Sequence, residues 1–358
     1  MTNSEKFHIP SLDGMRAIAV LMVFLSHSGF HHLVPGGLGV TVFFFLSGYL
    51  ITTLLRMEYE NTNKINLKSF YLRRVYRLFP PLYIVIFISW ITVVSGIFPH
   101  KLTLIGTGSQ LLQFTNYHII FEGKNGLLPG LGILWSLAVE EHFYLIFPLL
   151  YLTLRRKVNT RTSLTVFAAV CTGILIWRFI FVFTWGLPEG YPDAGVYAYT
   201  YYASEARIDS LLMGCIMAVG FNPALARVQI SQLKRNSLII TGFMAILFSL
   251  LYRDPEFRET WRYTLQGIAL MPIFYFAIRD PNLPIFKPLN FAPLVYIGKI
   301  SYTFYLSHYL FIYLAIELAG SSLLTKNILG FSITFLFSAA MYHFIEKYFA
   351  KLRRALHK

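Results

Sequence analysis

The sequence predicts an all-α fold, a polytopic membrane protein of about ten transmembrane helices with both termini in the cytoplasm. Three observations predict it. Mostly apolar stretches of about eighteen residues or more recur along the chain, long enough to cross a hydrocarbon layer of roughly 30 Å. Apolar residues fill 56% of the 358 positions and charged residues only 13%, outside the composition of soluble globular domains. Basic residues gather in alternate connections, twenty on one side against six on the other, which marks the richer side as cytoplasmic. The formal charge of +14 fits that orientation and contact with an anionic lipid bilayer, and no nucleic-acid partner is expected.

The first span, about 12–30, follows a short charged segment and lacks a small-residue cleavage site, so it is read as retained. The second, about 38–55, is reached through a tight Pro-Gly-Gly turn. A basic stretch from Arg56 to Arg77 leads into the third, about 78–97. The following connection holds a moderately apolar piece, 102–120, expected to be re-entrant or interfacial. Further spans are expected at about 133–154, 163–185, 203–221, 237–252, 263–278, 294–318 and 324–349. Cys171 and Cys215 fall in apolar spans without metal or redox spacing and are read as packing residues. With no soluble domain or flexible linker in view, 1–358 is expected to be a single membrane domain that itself carries any activity.

Ionisable residues inside spans are costly in hydrocarbon and mark functional sites by default. The first span carries Asp13, Arg16 and His27. Arg16 and His27 are eleven residues apart, close to three helical turns, so on an α-helix they share a face over roughly 16 Å. Asp13 precedes Arg16 by one turn. His27, between two serines, is a candidate general base that needs an orienting carboxylate, which Glu140, Glu141 or Asp13 would supply. Arg73, Arg74 and Arg77 cluster on a helix entering the membrane, where guanidinium groups bind phosphate oxygens or simply set topology. Glu205, Arg207 and Asp209 either fix a helix end or bind an acceptor. His308 is read as a satisfied core histidine or a wall of the site. No cluster has metal-ligand spacing.

The stretches LDGMRAIAVLMVFLSH, GGLGVTVFFFLSGYLI, FYLRRVYRLFP, LWSLAVEEHFYLIFP, ARIDSLLMG, SYTFYLSHYL and FIEKYF occur in this order over nearly the whole chain. In them the sequence resembles acyltransferase family 3, the integral-membrane acyltransferases. The resemblance implies O-acyl transfer, usually acetyl, from cytoplasmic acyl-CoA to a hydroxyl of an extracytoplasmic glycan or lipid-linked saccharide in a cell inner membrane. It implies essential roles for His27 and Arg16 and a coenzyme-handling role for Arg74 and Arg77. Some members carry a fused extracytoplasmic esterase-like domain; none is seen in this sequence, so direct acylation or a separate periplasmic or extracellular transferase is expected.

These readings combine into one expectation. Acyl-CoA docks its phosphates near Arg73, Arg74, Arg77 and Arg16, and its arm follows the polar face to His27. That residue acts as base or is transiently acylated. The rival is a secondary transporter that uses the buried charges as a relay, against which no inverted repeat or pair of broken helices is seen.

Overall fold

The computed structural model describes residues 9–186, 196–226, 228–320 and 322–355. Lys6, Arg227 and Lys358 of the loop-charge count lie outside them. Among the described residues the fold is helical without a strand; a lone bridge pairs Leu102 with Gly126. The helices are α1 (Pro10–Leu25, followed by a π-helical turn, Ser26–Phe30), α2 (Gly36–Thr62), α3 (Leu67–Val94), α4 (Leu104–Leu111) and α5 (Thr115–Glu122). Then come α6 (Leu134–Lys157), α7 (Thr160–Trp185), α8 (Val196–Tyr202), α9 (Ser204–Gly220), α10 (Gln232–Leu251), α11 (Pro255–Glu259) and α12 (Trp261–Arg279). The chain closes with α13 (Ala292–Ala319), α14 (Leu323–Met341), a second π-helical turn (Tyr342–Glu346) and α15 (Lys347–Ala355).

Among the described residues, six helical stretches are long and apolar enough to cross a membrane: α2, α3, α6, α7, α10, and Leu323–Arg353, which runs from α14 into α15. The other four expected spans are helical too. Of these, α1 and α9 are short, at 16 and 17 residues, while α12 and α13 carry polar residues along their length.

Several boundaries move, for identifiable reasons. Hydropathy marks only the apolar part of a helix, so α3 starts at Leu67 rather than near residue 78. Asn66 caps it by accepting from the Ser69 amide. Three of the four expected phosphate-binding arginines, Arg73, Arg74 and Arg77, therefore lie within one helix, and Arg16 lies on α1. The piece at 102–120 is two eight-residue helices, α4 and α5, separated where Gln113 takes a positive φ of 60°. Each is about 12 Å long, too short to span.

The chain forms two compact units, with boundaries inside α1, α2, α6 and α13. The first comprises Met1–Arg16, Leu38–Ile65 and Val139–Val295. In it α9 packs against α7 and α12, and α10 against α12. Helices α2 and α9 cross where glycines face backbone: a Cβ on Gly48 would lie 1.9 Å from the Leu211 carbonyl oxygen, and one on Gly214 would lie 2.1 Å from that of Phe45. Only glycine lets the two backbones approach so closely.

The second unit comprises Ala17–Gly37, Asn66–Ala138 and Tyr296–Lys358. Its core joins Leu82, Val85 and Ile86 of α3 to Leu306 of α13 through Leu128, Leu131 and Leu134. Two of those leucines lie on an irregular segment. Backbone without helix or sheet partners is costly when buried. Here Gln110 Oε1 accepts from the Leu128 amide at 3.0 Å, and Ser89 Oγ donates to the Pro129 carbonyl at 2.9 Å.

Candidate active site

A change of helix type builds the end of the first helix. After Leu25 the chain enters the π-helical turn Ser26–Phe30, in which Gly29 has φ 115°. That angle strains any residue with a Cβ. A Cβ there would also meet Leu323 Cδ1 at 2.8 Å and Lys326 Nζ at 3.0 Å. Glycine therefore lets the turn close against the start of α14. Ser28 fastens it: its hydroxyl donates to Asn327 Oδ1 at 2.6 Å, and Asn327 Nδ2 donates to the Ser28 carbonyl at 3.2 Å. The α-helical count from Arg16 holds only to Leu25, so the predicted shared face stops two residues short of His27.

His27 is exposed on this turn, and His308 of α13 lies beside it, fully buried. His27 Nδ1 and His308 Nε2 are 2.8 Å apart, with the rings 11° from parallel. His308 Nδ1 is 2.6 Å from the Tyr305 carbonyl oxygen. A carbonyl only accepts, so His308 Nδ1 carries a proton, and in the neutral ring Nε2 is then an acceptor. His27 Nδ1 must donate to it. The lone pair of His27 is thereby left on Nε2. One main-chain carbonyl, acting through two rings, assigns both tautomers.

Surrounding side chains hold this arrangement. The Tyr309 ring lies 4.7 Å from that of His27, and Phe24 of α1 packs 6.5 Å from His308. The Tyr305 hydroxyl donates to the Ile133 carbonyl at 3.2 Å and is 2.7 Å from Ser136 Oγ. In the same unit, Arg73, Arg74 and Arg77 are half-buried on α3, with the Arg74 guanidinium 5.5 Å from the Phe70 ring centre. Glu346 Oε1 accepts from Thr303 Oγ1 at 2.6 Å.

The first unit holds the remaining predicted residues. Arg16 pairs with Asp13 one turn earlier at 2.8 Å. Glu140 Oε2 accepts from Ser47 Oγ at 2.9 Å and from the Tyr144 hydroxyl. Glu141 is half-buried on α6. Glu205, Arg207 and Asp209 turn to different partners. Glu205 accepts from the Tyr199 hydroxyl. Arg207 is fully buried, its guanidinium 3.9 Å from the Tyr263 ring centre, and it donates to the Tyr201 carbonyl at 3.1 Å. Asp209 accepts from Arg178 Nη2 and from Thr264 Oγ1, both at 2.7 Å, and both members of the ion pair are fully buried.

The group at His27 Nδ1 is thus a second imidazole, not one of the carboxylates proposed from sequence. The two histidines are 281 residues apart, and nothing in local spacing announces such a pair. Arg178 and Asn327 escaped the sequence reading for the same reason, although Arg178 left a signal as a charge inside an apolar run. Tyr144 was overlooked despite a local signal, since it follows Glu140 by one helical turn.

The profile of the family described as "Acyltransferase domain" matches residues 9–343. The peptidoglycan O-acetyltransferase OatA of Listeria monocytogenes is 31% identical over 362 residues, covering 96% of this chain and 56% of its own length. YrhL of Bacillus subtilis is 31% identical over 355 residues, covering 95% of this chain and 54% of its own length. The chain thus spans a little over half the length of these curated relatives. No solved structure matches it. A helical membrane chain that the family profile covers almost from end to end belongs to acyltransferase family 3.

Proposed function

We propose that the protein is a membrane O-acetyltransferase that moves an acetyl group from acyl-CoA to a hydroxyl of an extracytoplasmic saccharide. A glycan or a lipid-linked sugar would serve as acceptor, and the relatives named as peptidoglycan O-acetyltransferases favour a cell-wall glycan. The chain would sit in the cytoplasmic (inner) membrane with about ten spans and both termini inside. The observation that carries this reading is the His27–His308 pair with its tautomers set by the Tyr305 carbonyl.

In that arrangement His27 Nε2 is the basic atom. It takes the proton of the acceptor hydroxyl as the oxygen attacks the thioester carbonyl. The carbon–sulfur bond breaks, and the leaving thiolate takes the proton back from the imidazolium. Transient acylation of His27 would use the same lone pair, so both routes need the tautomer held by His308. Arg73, Arg74 and Arg77 would hold the donor's phosphates, because guanidinium groups bind such oxygens bidentately.

The test uses the purified protein in liposomes with radiolabelled acetyl-CoA and candidate saccharides. Label covalently bound to the saccharide, lost in His27→Ala of equal expression, supports the reading. Transfer by His27→Ala at the wild-type rate, or passage of an unmodified solute without acetylation, overturns it.

A further inference from the structure

Two lysines gather at the turn that presents His27, and both belong to the second unit. Lys326 of α14 reaches over Gly29, two residues beyond His27. Its Nζ and Cε lie 3.0 and 3.2 Å from the place a Cβ would occupy there. The hydrogen bonds between Ser28 and Asn327 hold this part of α14 against the turn, and Lys326 is half-exposed on it. Lys124 comes from the connection after α5 and is exposed. Its Cδ lies 3.9 Å from where a Cβ of Gly132 would be, and the next residue is Ile133, whose carbonyl accepts from the Tyr305 hydroxyl. Tyr305 in turn supplies the carbonyl that holds His308. The stem of Lys124 thus follows the support of the histidine pair, and its charge is the one that acts on His27.

Neither ammonium is neutralised by the protein. Among the described residues no carboxylate pairs with Lys124 or Lys326, and neither side chain forms a hydrogen bond. A lone exposed lysine is ordinarily just solvated, but here two meet at one turn beside the basic residue. On the orientation expected from loop charge, basic residues are scarce on this outer side, six against twenty. Like charges brought together repel, and an anion between them relieves the repulsion. Lysine is a compact point charge that attracts such a group without demanding one orientation. The thioester end of acyl-CoA is uncharged, and its phosphates are expected at the cytoplasmic side. The anion that fits here therefore belongs to the other reactant.

We propose that Lys124 and Lys326 form a subsite for a negatively charged group of the acceptor, which makes the acceptor an anionic saccharide. Its carboxylate or phosphate sits between the lysines while its hydroxyl meets His27. The inference rests on the transfer reading above and names the class of its acceptor. Anionic lipid headgroups share the chemistry and are separated by the test.

The experiment places the protein in nanodiscs of uncharged phosphatidylcholine and offers two pairs of acceptors. One is a muramic-acid oligosaccharide with its carboxylates free or amidated; the other is N-acetylglucosamine with or without a phosphate at its anomeric carbon. Binding and the kcat/KM of acetyl transfer are measured for each member. The charged member is expected to be preferred in at least one pair. Lys326→Met and Lys124→Met keep the stem but remove the charge, so each is expected to cut that preference about fivefold, and the double variant further. Lys326→Arg should retain it. No preference in either pair overturns the subsite, as does a preference that survives the double variant. A kcat loss of equal size for charged and uncharged acceptors assigns the lysines to the reacting atoms and also overturns it. So does an effect seen only when phosphatidylglycerol is added to the nanodiscs, which assigns them to lipid. If the binding preference follows the lysines while no saccharide is acetylated, the subsite stands and the transfer reading falls. If transfer proceeds without any charge preference, the reverse holds.

Discussion

A buried carboxylate beside His27 would hold an imidazolium more strongly than a neutral ring, but it would carry the desolvation cost of a charge. His308 avoids that cost, since a neutral acceptor fixes the tautomer and needs only the Tyr305 carbonyl to complete it. His308→Ala is therefore expected to lower kcat about 100-fold, with the acetyl-CoA KM little changed. His308→Gln should recover part of the rate, because its amide oxygen can accept from His27 Nδ1. Steady-state kinetics on the two variants checks the split; a purely structural role would move stability rather than follow the chemistry of the replacement. The Ser28–Asn327 contact acts one step further out. Asn327→Leu should cost about 1 kcal/mol of stability by thermal unfolding in detergent, with a larger fractional loss of kcat than of expression.

At the scale of elements, two helix irregularities frame α13. One π-helical turn presents His27, and the other carries Glu346. The first is a kink made by the non-helical backbone of Gly29, whereas the second inserts a residue into the helical ladder and re-aims the side chains around it, as π-helical turns at functional sites do. Neither turn was legible in the sequence, since neither a kink nor one residue inserted into a helical ladder leaves a mark in composition or spacing. The helices themselves were legible, because long apolar runs need only counting. Helices α1, α9, α12 and α13 are shorter or less apolar than the six, yet they hold many of the buried charged and polar residues: Asp13, Arg207, Asp209, Gln266 and His308. In the first unit the Arg178–Asp209 pair links α7 to α9, with Thr264 of α12 completing it. Removing one charge of a fully buried pair strands the other, so Asp209→Asn should cost about 3 kcal/mol or more. Retention of the wild-type melting temperature in that variant would show that the pair is not what holds these helices together. At the α2–α9 crossing, Gly214→Val should destabilise by about 3 kcal/mol, measured in the same way, because the obstacle is backbone and cannot swing aside.

For the whole molecule, composition and loop charge were enough to give the class, a helical membrane protein, and motif order was enough to give the family. Charge counting also predicts an orientation, with both termini inside, and that prediction is testable. A cysteine introduced at Lys124 should react with an impermeant thiol reagent from outside intact cells, and one introduced at Arg73 should react only after permeabilisation; the opposite pattern would invert the topology. What sequence reasoning could not supply is which distant residues meet. His27 and the Arg-x-x-Arg helix were legible because each sits in a local motif, whereas the His27–His308 bond depends on the packing of α1 against α13 and α14. That bond is the central claim, and a double-mutant cycle on acetyl transfer tests it most directly. If the two imidazoles act as one unit, His27→Ala with His308→Ala should transfer no more slowly than His27→Ala alone, since the second loss has nothing left to disable. Rate losses that multiply in the double variant would contradict the account, because His308 would then act independently of His27.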